Sequence, residues 1–274
     1  MKELQFEKHD NVKGAVKSNT LKKFKEEKIN DGIYECEECA NHGYILFFDE
    51  NDEMKYQQCK CYNIRQARRK MRDLGLLKYC GDNNSFDEFI AIAQWEKRVK
   101  KSAIDFVNNY HNKFFYIGGQ IGSGKTKICS LIICNILMKA RISYEYIIWG
   151  DTARTLAFDD KNKKEMEYLK EIDLLYIDDF LRSTARNELK ITQWERDVVM
   201  ELINYRYINN KTTIISSELY FNELAEVDDS VASRIYENSD NGKYCLSIKR
   251  EKNRNKRLVK TDFYKKVIKL LKNY

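Results

Sequence analysis

A glycine-rich turn followed by Lys125 and Thr126 is the stretch of this chain with the most specific chemistry. Its glycines would let backbone N–H groups approach phosphate oxygens, because a side chain there would block both the approach and the torsions that it needs. Lys125 would neutralise the β- and γ-phosphates of a nucleotide, and the Thr126 hydroxyl would bind Mg²⁺. The spacing therefore predicts a nucleoside triphosphate site whose contacts come from Gly119, Gln120, Ile121, Gly122, Ser123, Gly124, Lys125 and Thr126.

Two adjacent carboxylates, Asp178 and Asp179, form the second candidate site and follow a short apolar run. An apolar strand that ends in two acids is typical of a Walker B element. Its first acid would hold the Mg²⁺ and its second would orient or deprotonate the attacking water. Two such acids can also be a simple helix N-cap. The phosphate-binding loop upstream favours the catalytic interpretation.

Alternating strands and helices are expected to position these motifs. An apolar strand at 114–117 enters the loop, and an apolar helix at 127–138 leaves it with its positive end towards the anion. Further strands are predicted at 144–149, 174–179, 212–217 and 244–248, with a helix at 192–209 and a terminal helix that runs to Tyr274. This order predicts an α/β parallel sheet flanked by helices, with the nucleotide at the carboxyl ends of the strands.

Two cysteine pairs flank a predicted hairpin near the N-terminus. Cys36 and Cys39 precede the apolar run 43–48, and Cys59 and Cys61 follow the next run. Four soft ligands on a hairpin suit a tetrahedral zinc ion. His42 could replace one cysteine, but four thiolates already complete the site, so we predict that all four ligands of the Zn²⁺ are cysteines.

Composition and charge narrow the possible classes of protein. The chain has 274 residues, 43% hydrophobic residues and a net charge of +7, which favours two unequal domains with a real core. Its apolar runs are short, and its first residues lack an apolar signal region, so we expect no membrane span and a cytoplasmic location. Residues 241–274 hold 12 Lys/Arg against 2 Asp/Glu, which is typical either of a contact with nucleic-acid phosphates or of a solvated tail.

The best domain boundary lies in the turn-forming stretch 80–84, so we predict an N-terminal helical and zinc-binding domain at 1–80 and a nucleotide-binding domain at 84–274. Residues 62–77 read as a helix with a basic face that includes Arg65 and Arg68. That face could contact nucleic acid or could be solvated, and the sequence does not choose between the two.

Together these motifs resemble those of AAA+ ATPases, and specifically helicase loaders of the DnaC/DnaI type from phages and mobile elements. The resemblance covers roughly residues 84–260 and is carried by YIGGQIGSGKT, LLYIDDF, TIISSE, SRIYE and NKRLVK. The cysteine-rich module also looks like the zinc-binding part of such loaders. The resemblance implies that Ser217 is the sensor-1 residue and that Arg234 is an arginine finger for a neighbouring subunit. It also implies that Arg257, with Arg254 as the alternative, is the sensor-2 arginine.

The resemblance implies an ATPase that loads a replicative hexameric DNA helicase onto single-stranded DNA. ATP and Mg²⁺ would act mainly as a switch, because Asp179 is one methylene shorter than the Glu of most AAA+ enzymes. The zinc module would hold the helicase, and AAA+ interfaces would form a homo-oligomer. Three other functions remain open: an IstB-type transposition helper, a DnaA-like initiator, and a non-catalytic zinc-and-DNA-binding adaptor. The 28 residues after Leu246 weaken the initiator, and the intact Lys125, Thr126 and Asp178 weaken the adaptor.

Overall fold

The computed structural model describes residues 17–81, 85–140, 142–158, 163–181 and 191–258. These residues divide into two compact units, with a boundary between Leu77 and Lys78; residues 137–140 group with the first unit. Among the helices so described, none combines the length and the apolar character that crossing a membrane requires.

The first unit contains a helix at 17–26 (α1), a two-stranded antiparallel hairpin and a second helix. The hairpin strands are β1 (Tyr44–Phe48) and β2 (Met54–Gln58), and the helix is α2 (Tyr62–Asp73). Tyr44 faces Gln58 and Phe48 faces Met54, so the strands are in register along their whole length. The Asp49 carboxylate closes the turn by accepting hydrogen bonds from the backbone N–H groups of Asn51 and Glu53, both at 2.9 Å.

The basic face of α2 is partly buried. For its two central arginines, a solvated face and a contact with nucleic acid are therefore both wrong. Arg65 and Arg68 are only 1% and 5% exposed. Arg65 donates to the Tyr34 carbonyl and pairs with Asp31, and Arg68 donates to the Ile33 carbonyl. These arginines therefore tie α2 to the segment that carries the first cysteine pair, since a buried guanidinium needs several acceptors.

The second unit is a five-stranded parallel sheet with helices. Its strands are β3 (Phe114–Gly119), β4 (Tyr144–Ile148), β5 (Leu174–Phe180), β6 (Thr212–Ser217) and β7 (Cys245–Ile248), in the order β4-β5-β6-β3-β7. Its helices are α3 (Gln94–Asn109), α4 (Lys125–Lys139), α5 (Trp149–Phe158), α6 (Lys163–Glu171), α7 (Gln193–Ile208), α8 (Phe221–Val227) and α9 (Asp229–Asn238). The predicted α/β parallel sheet flanked by helices is confirmed.

The central strands are buried on both faces of the sheet, as is usual in a parallel sheet covered by helices. Every residue of β3 and β6 is buried. The apolar residues of α4 are buried almost all round, as predicted for a helix that packs on the sheet. The charged stretch before β5 divides into two helices, α5 and α6. The predicted terminal helix lies outside the described residues, apart from a helical turn at 256–258.

Candidate nucleotide and metal sites

The sheet order brings the predicted loop and the predicted acids to one edge. β3 ends at the glycine-rich loop, β5 ends at Asp178 and Asp179, and β6 lies between these two strands. All strands of this sheet pair in parallel, so their carboxyl ends meet where a ligand binds in folds of this kind.

The loop glycines have backbone conformations that other residues rarely adopt. Gly119, Gly122 and Gly124 have φ angles of +101°, +72° and +98°. A Cβ on Gly119 would lie 2.2 Å from the Ile248 carbonyl oxygen. Both the torsion and the close approach therefore require glycine at this position.

Lys125 begins α4 and is only 8% exposed. Its Nζ donates to the carbonyl oxygens of Gly119 and Gln120, each at 2.9 Å. Burial lowers the pKa of this ammonium, while the nearby Glu218, Asp179 and Asp178 act in the opposite direction. Such a dehydrated cation on a loop of backbone N–H groups is suited to phosphate oxygens.

The remaining predicted loop contacts include two polar side chains that hold the loop. Ser123 Oγ donates to the Gln120 carbonyl at 2.8 Å, and Gln120 Nε2 donates to the Ile121 carbonyl at 2.9 Å. Ile121 is 48% exposed at the crown of the loop. These three residues shape the backbone that would face the phosphates.

Asp178 is the centre of a hydroxyl cluster. Its Oδ2 accepts hydrogen bonds from Thr126 Oγ1 and from the Tyr146 hydroxyl, both at 3.3 Å, and its Oδ1 accepts one from Ser216 Oγ. The Thr126 hydroxyl in the first turn of α4 and the Asp178 carboxylate near the end of β5 fit Mg²⁺, which prefers one or two protein oxygens beside phosphate oxygens. Neither Tyr146 nor Ser216 was predicted. The strand register, which pairs Ile177 with Ile215, places Ser216 beside Asp178.

Asp179 has a φ of +52°, which is unusual for a residue other than glycine. Its N–H donates to Asp178 Oδ1 at 3.1 Å, and its side chain is half-buried. A left-handed backbone at an acidic strand end is a form of strain that is often found at functional sites.

Ser217, predicted as sensor 1, points away from Asp178. Its Oγ donates to the Phe180 carbonyl at 2.7 Å and accepts from the Leu219 N–H at 3.0 Å. Successive strand residues face opposite sides of a sheet, so Ser216 and Ser217 cannot share one environment. Of these two serines, Ser216 is the one whose hydroxyl donates to Asp178.

Arg234, the predicted arginine finger, lies on α9 and contacts its own chain. Its Nε donates to Asn204 Oδ1 at 2.8 Å, and its Nη1 donates to the Ser230 carbonyl at 2.7 Å. The guanidinium also lies 6.0 Å from the centre of the Tyr207 ring. These contacts hold Arg234 between α7 and α9, and its role towards a neighbouring subunit stays a prediction.

The segment after β7 lies against the phosphate loop through two residues that were not predicted. The Lys256 N–H donates to the Gly122 carbonyl at 2.9 Å, and a Cβ on Gly122 would lie 2.2 Å from Asn255 Oδ1. Of the two predicted sensor-2 candidates, Arg254 pairs with Glu251 at 2.9 Å. Arg257 is exposed, in the last described turn.

The four predicted cysteine ligands come together. The Sγ atoms of Cys36, Cys39, Cys59 and Cys61 all lie within 4.8 Å of one another, and all four residues are buried. The Gly43 N–H donates to Cys39 Sγ at 3.3 Å. Burial raises the pKa of Cys59 to about 11, and a bound cation would oppose this by stabilising the thiolate form. The donor set therefore fits zinc.

His42 lies outside this cluster. Its Nε2 is 3.1 Å from the Phe24 carbonyl oxygen, and its ring stacks on Phe24 with the centroids 4.1 Å apart. The cluster of possible metal ligands among the described residues contains the four cysteines without His42, in agreement with the preferred ligand set.

Comparisons with known proteins agree with this architecture, although no family model matches the chain. The chain is 26% identical over 192 residues to the uncharacterized protein YqaM of Bacillus subtilis (strain 168), which covers 66% of this chain and 60% of YqaM. It is 24% identical over 223 residues to the phage-like element PBSX protein XkdC of the same strain, which covers 74% of this chain and 79% of XkdC. The crystal structure of the DnaC helicase loader superposes with a TM-score of 0.50 at 21% identity, over 64% of this chain and 99% of that one.

The chain has the fold of the DnaC helicase loader. The resemblance to AAA+ helicase loaders is thereby confirmed at the level of the fold. In this fold the strand order places the phosphate loop, Thr126 and Asp178 together. The roles assigned to individual residues stay predictions.

Proposed function

We propose that this protein is an AAA+ ATPase that loads a replicative DNA helicase onto single-stranded DNA when replication begins. The observation that carries the proposal is the meeting of Lys125, Thr126 and Asp178 at one edge of a sheet with the DnaC fold. A second support is the buried four-cysteine cluster in the separate first unit, because it matches the module that the sequence pattern led us to expect.

ATP would lie on the loop at residues 119–126, where Lys125 binds the β- and γ-phosphates. Thr126 and Asp178 would hold the Mg²⁺, which neutralises phosphate charge when it is bound. Asp179 would orient the attacking water or accept a proton from it. Its side chain, one methylene shorter than that of Glu, favours slow turnover, so that ATP acts mainly as a switch.

The zinc module would contact the helicase, and the AAA+ unit would respond to ATP and DNA. Arg234 would complete the nucleotide site of a neighbouring copy, which makes a homo-oligomer the working form. The location would be cytoplasmic, where replicative helicases act.

The test is whether the protein forms a complex with the hexameric replicative helicase of the same cell. Size-exclusion chromatography with light scattering measures the complex. We expect a complex with the unaltered protein and its loss with Cys59→Ser/Cys61→Ser, because the module that binds the helicase would unfold. Cys245→Ala, which removes a thiol from the other unit, is the matched control and should keep the complex.

Loading is measured separately, as helicase retained on circular single-stranded DNA. Lys125→Ala should still bind the helicase but should fail to release it onto DNA, whereas Lys97→Ala on the exposed face of α3 should behave as the unaltered protein. No complex in any nucleotide state would refute the proposal. Normal loading by Lys125→Ala would refute the role of ATP in it.

A further inference from the structure

An open cleft lies beside the start of α3, next to the last strand of the sheet. It has a volume of about 630 Å³ and is lined by Gln94, Trp95, Arg98, Ser247, Lys249 and Arg254. All of these residues belong to the second unit, and none belongs to the phosphate loop at 119–126. The cleft is therefore a feature separate from the nucleotide site described above.

Three cations line this cleft, and one carboxylate serves two of them. Lys249 and Arg254 both pair with Glu251, at 3.1 and 2.9 Å, and Lys249 is 74% exposed. Arg98 is exposed and has neither an ion pair nor a hydrogen bond from its side chain within the described part of the chain. The cleft consequently carries an excess of positive charge, with one guanidinium that no internal contact uses.

Most of the other basic residues near the end of the described chain are already used in internal contacts. Arg250 makes a bidentate contact with Glu223, at 2.5 and 2.6 Å, and stacks on Tyr220. Lys256 pairs with Glu96 at 2.7 Å. These two cations stabilise the fold, so the general basic character of the region does not by itself identify a binding surface.

An aromatic side chain, that of Trp95, distinguishes this cleft from a simple basic patch. Trp95 is half-buried, and the Arg254 guanidinium and the Lys256 ammonium lie 5.5 and 5.6 Å from its ring centre. Cations that follow a phosphate backbone, combined with an aromatic side chain that meets bases, are the usual elements of a site for single-stranded nucleic acid.

We propose that the cleft of Trp95, Arg98, Lys249 and Arg254 binds single-stranded DNA, with phosphates on Arg98 and Lys249 and a base against Trp95. The proposal rests on the proposed function and deepens it by placing the DNA. A single strand is favoured over a duplex because paired and stacked bases could not reach Trp95. The segment that carries Arg254 also touches Gly122 through Lys256, so DNA and nucleotide would contact one continuous segment.

The experiment measures binding of a fluorescently labelled thymidine oligonucleotide by anisotropy across a series of salt concentrations. Arg98→Ala/Lys249→Ala should weaken binding roughly tenfold and flatten the log–log salt slope by about 1.4, since each single-strand phosphate contact contributes about 0.7. Lys97→Ala, which removes one positive charge from α3 outside the cleft, should change neither quantity. Arg98→Lys, which keeps the positive charge, should have a steeper salt slope than Arg98→Ala, close to that of the unaltered protein.

Tryptophan fluorescence supplies a readout that charge alone would not move. Trp149 is fully buried and Trp194 packs on the core, so quenching by the oligonucleotide should come from Trp95 and disappear in Trp95→Phe. Because the Arg98 side chain has no ion pair or hydrogen bond within the described residues, Arg98→Ala should keep its melting temperature, and this separates lost binding from lost folding.

If these variants bind the oligonucleotide as the unaltered protein does, the cleft is not the DNA site, and the proposed loader function is unaffected. Full competition of the oligonucleotide by ATP would also overturn it, since the cleft would then belong to the nucleotide site. If the unaltered protein binds no single-stranded DNA, the cleft proposal and the DNA part of the proposed function both fail. The helicase complex would still be tested independently.

Discussion

Arg206, on α7, offers the most direct test of how the sheet edge opposite the site is held together. It is fully buried, and its guanidinium donates to the carbonyls of Leu169, Lys170 and Ile172 at 2.8, 3.2 and 2.9 Å. It also donates to the Thr212 carbonyl at 2.6 Å. The first three carbonyls lie around the C-terminus of α6, where the last turn of a helix has no internal partners, and the fourth lies at the start of β6.

The perturbation is Arg206→Met, which keeps much of the volume and removes all donors. Three unpaired carbonyls at the end of α6 would cost about 3–6 kcal/mol, at roughly 1–2 kcal/mol each. Removing a buried cation returns part of this cost, because burial opposes the charge and lowers the pKa of Arg206. We therefore expect a net loss of about 3 kcal/mol, or a melting temperature lower by roughly 6–12 °C.

The assay is urea and thermal unfolding followed by circular dichroism, with Arg196→Met as the control on the same helix. Arg196 pairs with Asp228 at 2.8 Å, but its side chain is 39% exposed, so its loss should cost less than about 1 kcal/mol. Equal stability of Arg206→Met and Arg196→Met would contradict this prediction. The desolvation of the buried guanidinium would then cost as much free energy as its hydrogen bonds contribute.

Three further predictions concern function and metal. Lys125→Ala should abolish tight ATP binding, whereas Asp179→Asn should bind ATP but lose turnover; equal ATPase rates for Asp179→Asn and the unaltered protein would exclude Asp179 as the base. Elemental analysis should find about one zinc per chain, and chelation should unfold residues 30–62, since so small a unit has little core; protein purified without chelator that contains no zinc would contradict this. Arg234→Ala mixed with Lys125→Ala should regain partial ATPase activity, because some interfaces then join an intact pocket to an intact finger. No recovery, together with a lower melting temperature for Arg234→Ala, would assign Arg234 a structural role through Asn204 and Ser230.

The elements around the phosphate loop could be predicted because their signals are local. β6 was predicted at 212–217 and is observed at Thr212–Ser217, and α7 was predicted at 192–209 and is observed at Gln193–Ile208. The run at 212–217 is rich in β-branched residues, which favour a strand, and a helix on the sheet has an apolar stripe. The four cysteines were likewise readable, since a hairpin between two pairs brings them together.

Contacts between distant segments were not readable in this way. Ser216 was not singled out from the sequence, and it donates to Asp178 because the register of β5 with β6 places the two side by side. Arg65 looked like part of a basic surface, and it is buried because the Tyr34 carbonyl and the Asp31 carboxylate, some thirty residues earlier, accept its hydrogen bonds. Tyr146 reaches Asp178 only because β4 is the neighbour of β5.

The sequence by itself determined the chemistry of the phosphate loop, the pair of acids and the cysteine ligands. Their functional atoms lie within short segments, and local backbone preferences shape such segments. The tertiary structure decided which residues surround them: Ser216 and Tyr146 at Asp178, and Asn255 and Lys256 at Gly122. Strand order and register bring these groups together across 32 to more than 100 residues of chain, and no local pattern of side chains records that pairing.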